Sequence, residues 1–291
     1  MVCRESGGVT VTYASLSVRG AVELLWCESR GGYERGRMNE RIDHRLSGNC
    51  GVEAPGLDVR HLDASTVAWL RGLVDDHSVV VLRGQHLTPE EEIAFACRWG
   101  VPIGAPNRSP IVELDSPALT KGRQFGGWHS DMSWSPMPPY VSLLYALVVP
   151  AVGGDTLFAN QCAAYAALPS PLRDRIDNLR AVHRHPDPPG RFAAGRSVHS
   201  IAPTIPDTGR RAIFVNPVFT AAIEAIDEQQ SRRLLWRLFV HATRPEFTYR
   251  HRWSVGDLLV WDNRTTIHYA VADYRERRVM HRITVRQPAP R

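Results

Sequence analysis

From Gly126 to Arg286 the chain is a series of short apolar runs punctuated by turn residues, and this pattern limits the fold more than any other. Val141 to Val149 is one such run, and Gly153-Gly154-Asp155 is a turn leading into Thr156-Leu157-Phe158. Ala212 to Val215, Phe247 to Arg252, Leu258 to Trp261 and Arg278 to Arg286 read as further strands, with a turn at Val255-Gly256-Asp257. Two helical stretches interrupt the series: Ala163 to Leu179, broken near Pro169 and Pro171, and Glu228 to His241. His183 to Ser200 is rich in Pro, Gly, His and Arg and reads as a loop. Upstream, Ala64 to Val74 has apolar residues at helical spacing, and Ser78-Val79-Val80-Val81-Leu82 fits a buried strand. Thr88-Pro89-Glu90-Glu91 is a helix start, with an N-cap hydroxyl, proline at the first helical position and a glutamate to complete a capping box. That helix stops near Gly100, and a loop with several prolines follows up to Thr120. The expected fold is mainly β with flanking helices, a jelly roll closed on one side by helices. Neither a phosphate loop nor Gly-x-Gly-x-x-Gly is present, which argues against a nucleotide fold.

Other function classes are excluded by what the chain lacks. No apolar run approaches the roughly 20 residues that span a bilayer, so no membrane partner is expected. The five cysteines (Cys3, Cys27, Cys50, Cys97, Cys162) are scattered and without Cys-x-x-Cys spacing. That usage fits a reducing cytoplasm and neither a disulfide framework nor a thiolate zinc site. The formal charge is +5, yet Lys121 is the only lysine, and Arg244 to Arg291 holds ten arginines against five acids. A diffuse lysine-rich face for nucleic acid is therefore absent. Arginine suits small carboxylates instead, because its planar fork makes two parallel bonds. Residues 1 to about 45, rich in Gly, Ser, Arg and Glu, read as a poorly ordered extension, with Met38 offering a later start.

Chemistry concentrates in Trp128-His129-Ser130-Asp131-Met132-Ser133-Trp134. On an extended strand His129 and Asp131, two apart, would share a face and converge. An imidazole and a carboxylate supply two thirds of the facial triad that holds non-haem Fe(II). Such a pair also arises by chance in any chain of this length. The candidate third ligand is His268, in Trp261-Asp262-Asn263-Arg264-Thr265-Thr266-Ile267-His268, although a solitary histidine is otherwise a structural hydrogen-bonder. Arg278 and Arg282, evenly separated on one strand, face the same way. A buried arginine needs an anionic partner, which a ligand can supply.

Taken together, the separated motifs resemble the taurine dioxygenase/2,4-dichlorophenoxyacetate dioxygenase family of Fe(II)- and 2-oxoglutarate-dependent oxygenases. The likeness runs from about Gly51 to Val285. It rests on Trp128-His129-Ser130-Asp131, Gly153-Gly154-Asp155-Thr156, Thr208-Gly209-Arg210-Arg211 through Phe214-Val215-Asn216, Trp261-Asp262-Asn263-Arg264 with His268, and Arg278 before His281-Arg282. It implies a double-stranded β-helix (jelly roll, cupin-like) catalytic domain over residues 46–291. It also implies Fe(II) held by His129, Asp131 and His268, and 2-oxoglutarate held through Thr156 and Arg278. O2 would be the third participant, and Arg282 would attract the anionic group of the substrate. In related halogenases chloride replaces the carboxylate ligand, so Asp131 favours hydroxylation or desaturation.

A dry pocket is needed for such an oxidation, and Phe125, Trp134, Phe219 and Tyr145 are candidate walls, each with plain core packing as its alternative role. In taurine dioxygenase the sulfonate also meets a histidine and an asparagine. The corresponding positions here are Ala105 and Phe125, neither of which hydrogen-bonds an anion through its side chain. The expectation is therefore hydroxylation of a small carboxylate-bearing substrate, such as an amino-acid derivative or biosynthetic intermediate. The alternatives are a sulfonate or aryloxyalkanoate dioxygenase, a desaturase and, remotely, a jelly-roll binding protein without catalysis. The resemblance is consistent with a homo-oligomer.

Overall fold

The computed structural model describes residues 43–104, 108–117, 127–185 and 195–287. Of the extension expected over residues 1–45, only Asp43, His44 and Arg45 lie within the described residues. In chain order the elements are β1 (His44–Arg45), β2 (Val52–Glu53), α1 (Ala64–His77), β3 (Val79–Leu82), α2 (Pro89–Cys97), β4 (Val101–Pro102) and β5 (Val112–Pro117). Then come β6 (Val141–Val148), β7 (Thr156–Asn160), α3 (Gln161–Ala166), α4 (Ser170–Ile176), β8 (Arg180–Arg184), β9 (Arg196–Ser200) and β10 (Thr220–Ile223). The last are α5 (Glu228–Ala242), β11 (Thr248–His251), β12 (Leu258–Asp262), β13 (Thr266–Ala270) and β14 (Arg277–Arg286). The fold is mainly β with flanking helices. Among the described residues no helix is long and apolar enough to cross a membrane.

The larger sheet runs β1-β2-β3-β12-β6-β14-β4, with β5 also paired to β14, and a smaller sheet runs β11-β7-β13. Strand side chains alternate between faces, and the two faces of the larger sheet bury different partners. Val80 and Leu82, Leu143 and Tyr145, Leu258 and Val260 turn toward Leu70 and Val74 of α1 and Phe95 of α2. Val79 and Val81, Leu144 and Ala146, Leu259 and Trp261 turn the other way and meet Phe158 of β7. Fully burying side chains of this size is worth about 1.5–3 kcal/mol each, so a one-residue slip in register would be prohibitive. On β14 Met280 belongs to the inner face and Ile283 to the helix face. Arg278 and Arg282, an even number of residues from Met280, therefore look between the two sheets, as their spacing predicts.

The helix signals hold at atomic level. The Thr88 hydroxyl accepts from the Glu91 amide, the Glu91 carboxylate accepts from the Thr88 amide, and Pro89 opens α2. The stretch from Ala163 to Leu179 is two helices, α3 and α4, with the break at the prolines.

Several expectations need correction. His183 to Ser200 is not loop throughout: its flanks belong to β8 and β9, which pair antiparallel, and β10 joins β8. Their Arg, His and Ser content hid a sheet that is only half covered. Ala212 to Val215 is buried but is not a strand. Its amides donate to scattered acceptors, Ala212 to Pro203 O at 3.2 Å and Phe214 to Ile201 O at 2.7 Å. β5 lies within the loop expected up to Thr120 and exposes Glu113 and Asp115 along a sheet edge, and β13 lies between two of the expected strands.

Below this third sheet, fully buried His183 places Nδ1 3.0 Å from Ser133 Oγ and stacks on Phe214. Burial, and secondarily the neighbouring His199, pushes its pKa from 6.5 down to about 3. The unfolded chain then takes up a proton before the folded one does. Stability from this residue is complete above pH 6.5 and declines as pH falls from there toward 3. Melting temperature should fall between about pH 7 and about pH 5, and His183→Gln, which has no titrating ring, should flatten that slope. An unaltered slope in the variant would assign the acid lability to other groups.

Candidate metal centre

β7 covers one edge of β13, and the segment around His129 covers the other. The His129 amide donates to His268 O at 3.0 Å and the His268 amide donates to His129 O at 2.8 Å. This is one isolated antiparallel bridge, and it sets the two imidazoles 4.2 Å apart between ring centroids. The strand expected to carry both His129 and Asp131 is thereby corrected. Only His129 pairs; the chain enters a turn over Asp131–Trp134. Met132 in that turn has φ +48°, a left-handed value that is uncommon for a residue with a side chain. The turn, rather than strand pleating, brings the Asp131 carboxylate under the two rings.

His129, Asp131 and His268 are all buried, and their ligand atoms lie within 4.8 Å of one another. Asp131 Oδ1 is 3.8 Å from His129 Nε2 and 3.9 Å from His268 Nε2. These separations are too long for hydrogen bonds and suit three donors around one ion. The donor set, two imidazole nitrogens and one carboxylate oxygen, is that of the non-haem Fe(II) facial triad. Protonation supports it. His129 Nδ1 faces Gly127 O at 2.9 Å, which leaves Nε2 as the lone-pair nitrogen. Burial pushes the His129 pKa down, and burial together with His129 pushes that of His268 to about 3. Both rings are neutral at pH 7 and ready to bind a metal. His268 is seated among apolar rings, 4.9 Å from Trp261 and 6.1 Å from Phe158.

Asp131 is 3% exposed. Leaving such a carboxylate buried and unpaired costs about 3–5 kcal/mol. Burial pushes its pKa up, but Arg282, the two imidazoles and the Ser142 hydroxyl outweigh burial and hold it below the usual carboxylate range. Arg282 Nη1 donates to Oδ1 at 3.1 Å and Ser142 Oγ donates to Oδ2 at 2.7 Å. Arg282, expected beside the substrate, thus also touches the ligand carboxylate.

Arg278 is buried at 7% exposure, and among the described residues no carboxylate lies within ion-pair distance of it. Its Nε donates to Gly154 O at 3.0 Å. Gly153 and Gly154 both have left-handed φ, +80° and +73°. A Cβ on Gly154 would lie 3.2 Å from Arg278 Cδ, and one on Gly153 would lie 2.6 Å from Asp273 Oδ1. The Gly-Gly turn therefore lets the backbone come up against the guanidinium. Trp253 links Arg278 to Thr156: its ring lies 5.7 Å from the guanidinium carbon, and its Nε1 donates to Thr156 Oγ1 at 3.0 Å. A hydroxyl that accepts from indole has its own hydrogen free to donate elsewhere. Burial lowers the Arg278 pKa from its usual value, the mark of a cation without a close anionic partner.

Of the expected walls, Phe219 stands edge-on to His129 at 5.9 Å, and Trp134 reaches Phe219 through His185, at 5.1 Å and 6.2 Å. Tyr145 is on the opposite face of its sheet, where its hydroxyl donates to Gln85 O. Phe125 and Ala105 lie outside the described residues. Sequence reasoning missed Ser142, His185 and Trp253. Only Ser142 left a trace, as the one serine in the apolar run of β6.

Residues 43–284 match the family described as "Taurine catabolism dioxygenase TauD, TfdA family". An alpha-ketoglutarate-dependent sulfate ester dioxygenase of Pseudomonas putida is 35% identical over 272 residues, covering 85% of this chain and 90% of that protein. The alpha-ketoglutarate-dependent 2,4-dichlorophenoxyacetate dioxygenase of Cupriavidus pinatubonensis is 35% identical over 255 residues, covering 75% and 87%. A taurine dioxygenase from Burkholderia xenovorans superposes with a TM-score of 0.76 at 34% identity, covering 86% of this chain and 90% of that one. This chain belongs to the TauD/TfdA family and is a dioxygenase, an oxidoreductase that uses Fe(II), 2-oxoglutarate and O2.

Proposed function

We propose that the enzyme hydroxylates a C–H bond of a small anionic organic substrate, foremost a carboxylate, in the cytoplasm. The catalytic domain would be a double-stranded β-helix jelly roll over residues 46–291. The observation that carries this reading is the convergence of His129, Asp131 and His268 with Arg282 at their side. Bound Fe(II), with 2-oxoglutarate and O2, supplies the oxidising power, and 2-oxoglutarate leaves as succinate and CO2.

His129, Asp131 and His268 would hold the iron, and a three-residue facial set of this kind leaves positions for a co-substrate and O2. Arg278 and the Thr156 hydroxyl receive the distal carboxylate of 2-oxoglutarate, supported by the buried, unpaired state of Arg278. Arg282 lies four positions along the strand from Arg278, roughly 13 Å of chain. The two guanidiniums therefore serve two different anions and do not pinch one. With Asp131 Oδ1 given over to the iron, the half-buried Arg282 would orient the substrate's anionic group. Phe219, Trp134 and His185 exclude water from that side, which strengthens the charge pairing there. A sulfate ester is the second reading, supported by the likeness to the Pseudomonas putida enzyme; its anion also suits Arg282.

Two measurements test these assignments. Removing one partner of a buried charge pair costs about 2 kcal/mol or more, so Arg278→Ala should raise the KM for 2-oxoglutarate by roughly 30-fold or more. The weak visible band of anaerobic Fe(II) plus 2-oxoglutarate should weaken in parallel. A KM within about twofold of wild type would remove Arg278 from the co-substrate site. For substrate, succinate release above the uncoupled background should be screened with an aryloxyacetate and an alkyl sulfate. Arg282→Ala should raise the apparent KM of whichever is accepted and lower stimulated turnover, with the 2-oxoglutarate KM nearly unchanged. Unaltered substrate kinetics in that variant would take Arg282 out of the role.

A further inference from the structure

The oxygen of Asp131 that turns away from the imidazoles is held by a chain of donors whose directions follow from chemistry. Asn263 Oδ1 accepts from Trp261 Nε1 at 3.1 Å and from the Asp131 amide at 3.3 Å. Both partners can only donate, so the orientation of the Asn263 amide is settled. Its Nδ2 must then donate to Ser142 Oγ, 2.7 Å away. With that hydrogen arriving at the hydroxyl oxygen, the single hydrogen of Ser142 is directed at Asp131 Oδ2, also at 2.7 Å. The Ser130 hydroxyl donates to Asn263 O at 2.6 Å, which ties the ligand segment to the same residue. Exposure is 3% for Asp131, 1% for Asn263 and 0% for Ser142 and Trp261. Water has no access to compete, and an unbonded hydroxyl would be costly there.

We infer that Ser142 and Asn263 are positioning residues that reserve Asp131 Oδ2 as an acceptor, so that the carboxylate offers a metal only Oδ1. The consequence is for coordination number. Three protein atoms leave three positions, two for a chelating co-substrate and one for O2. A carboxylate free to swing can present both oxygens and take one of those positions. The relay runs from β12 through its turn to β6, so it borrows the rigidity of two adjacent central strands. This inference rests on the assignment of His129, Asp131 and His268 as the metal ligands.

The test uses the full chain and Mn(II) or Co(II) as probes, with no turnover. Partners that orient metal ligands typically matter 10–100-fold in affinity, so Ser142→Ala should weaken Mn(II) binding on the order of tenfold. The visible d–d bands of the Co(II)-loaded variant should change in position or intensity, because the coordination changes. Ser142→Ala/Asn263→Ala should weaken binding by less than the sum of the two single variants, because part of what Asn263 does passes through the Ser142 hydroxyl and part through the Asp131 amide. Should the double variant fail to fold, Ser142→Ala decides by itself. A Co(II) spectrum identical to wild type in Ser142→Ala overturns the inference, whatever the affinity. Asp131→Ala serves as the separate control: Mn(II) binding as tight as wild type there would overturn the ligand assignment itself.

Discussion

Two hydrogen bonds, exchanged between the backbones of His129 and His268, underlie the whole site. They join residues distant in sequence at a fixed register, and a shift of one position would turn one imidazole away from the other. Once the rings are opposed, the short turn after Ser130 is enough to bring a carboxylate beneath them. The left-handed Met132 is the local cost of that turn. Everything else at the site either neutralises the charge so gathered or keeps water from it.

Charge is handled differently by two arginines on one face of β14. Arg282 is half-buried and already paired with Asp131, whereas Arg278 is nearly enclosed and, among the described residues, has no carboxylate beside it. A guanidinium kept in that state is tolerable because Gly154 O accepts from it and two aromatic rings flank it. The residual imbalance favours an incoming carboxylate. On the proposed assignment of Arg278 to the co-substrate, that burial becomes selectivity for an anion, since a neutral ligand would leave the cation unsatisfied.

Much of this is legible from residue identity alone. Thr88, Pro89 and Glu91 announce a helix start because capping depends on adjacent residues alone. Leu143, Leu144 and Leu258 to Trp261 announce buried strands because both faces of their sheet are covered. His129, Asp131, His268, Arg278 and Arg282 stand out because few side chains bind metals or anions. What stays hidden depends on contacts made across the chain. β13 does not read as an apolar strand because His268, a ligand candidate, stands at its centre, and β5 is polar because it is an edge. Nothing adjacent to Trp253 indicates that its indole would meet Thr156, and Ser142 looks like an interruption until Asp131 is placed against it.

The metal ligands and the two arginines come from β13, β14 and the bridge beside them, inside the two facing sheets. Phe219 and His185 come from around β8 and β10, in the third sheet, which has its own apolar core against α3, α4 and α5. The metal-site residues and the aromatic wall proposed for the substrate are therefore supported by separately packed parts of the fold. Substitutions that reshape the second need not disturb the first. If that wall does meet the substrate, such a division would let one oxidation chemistry be re-addressed to new compounds by small changes in a region packed apart from the metal-site residues.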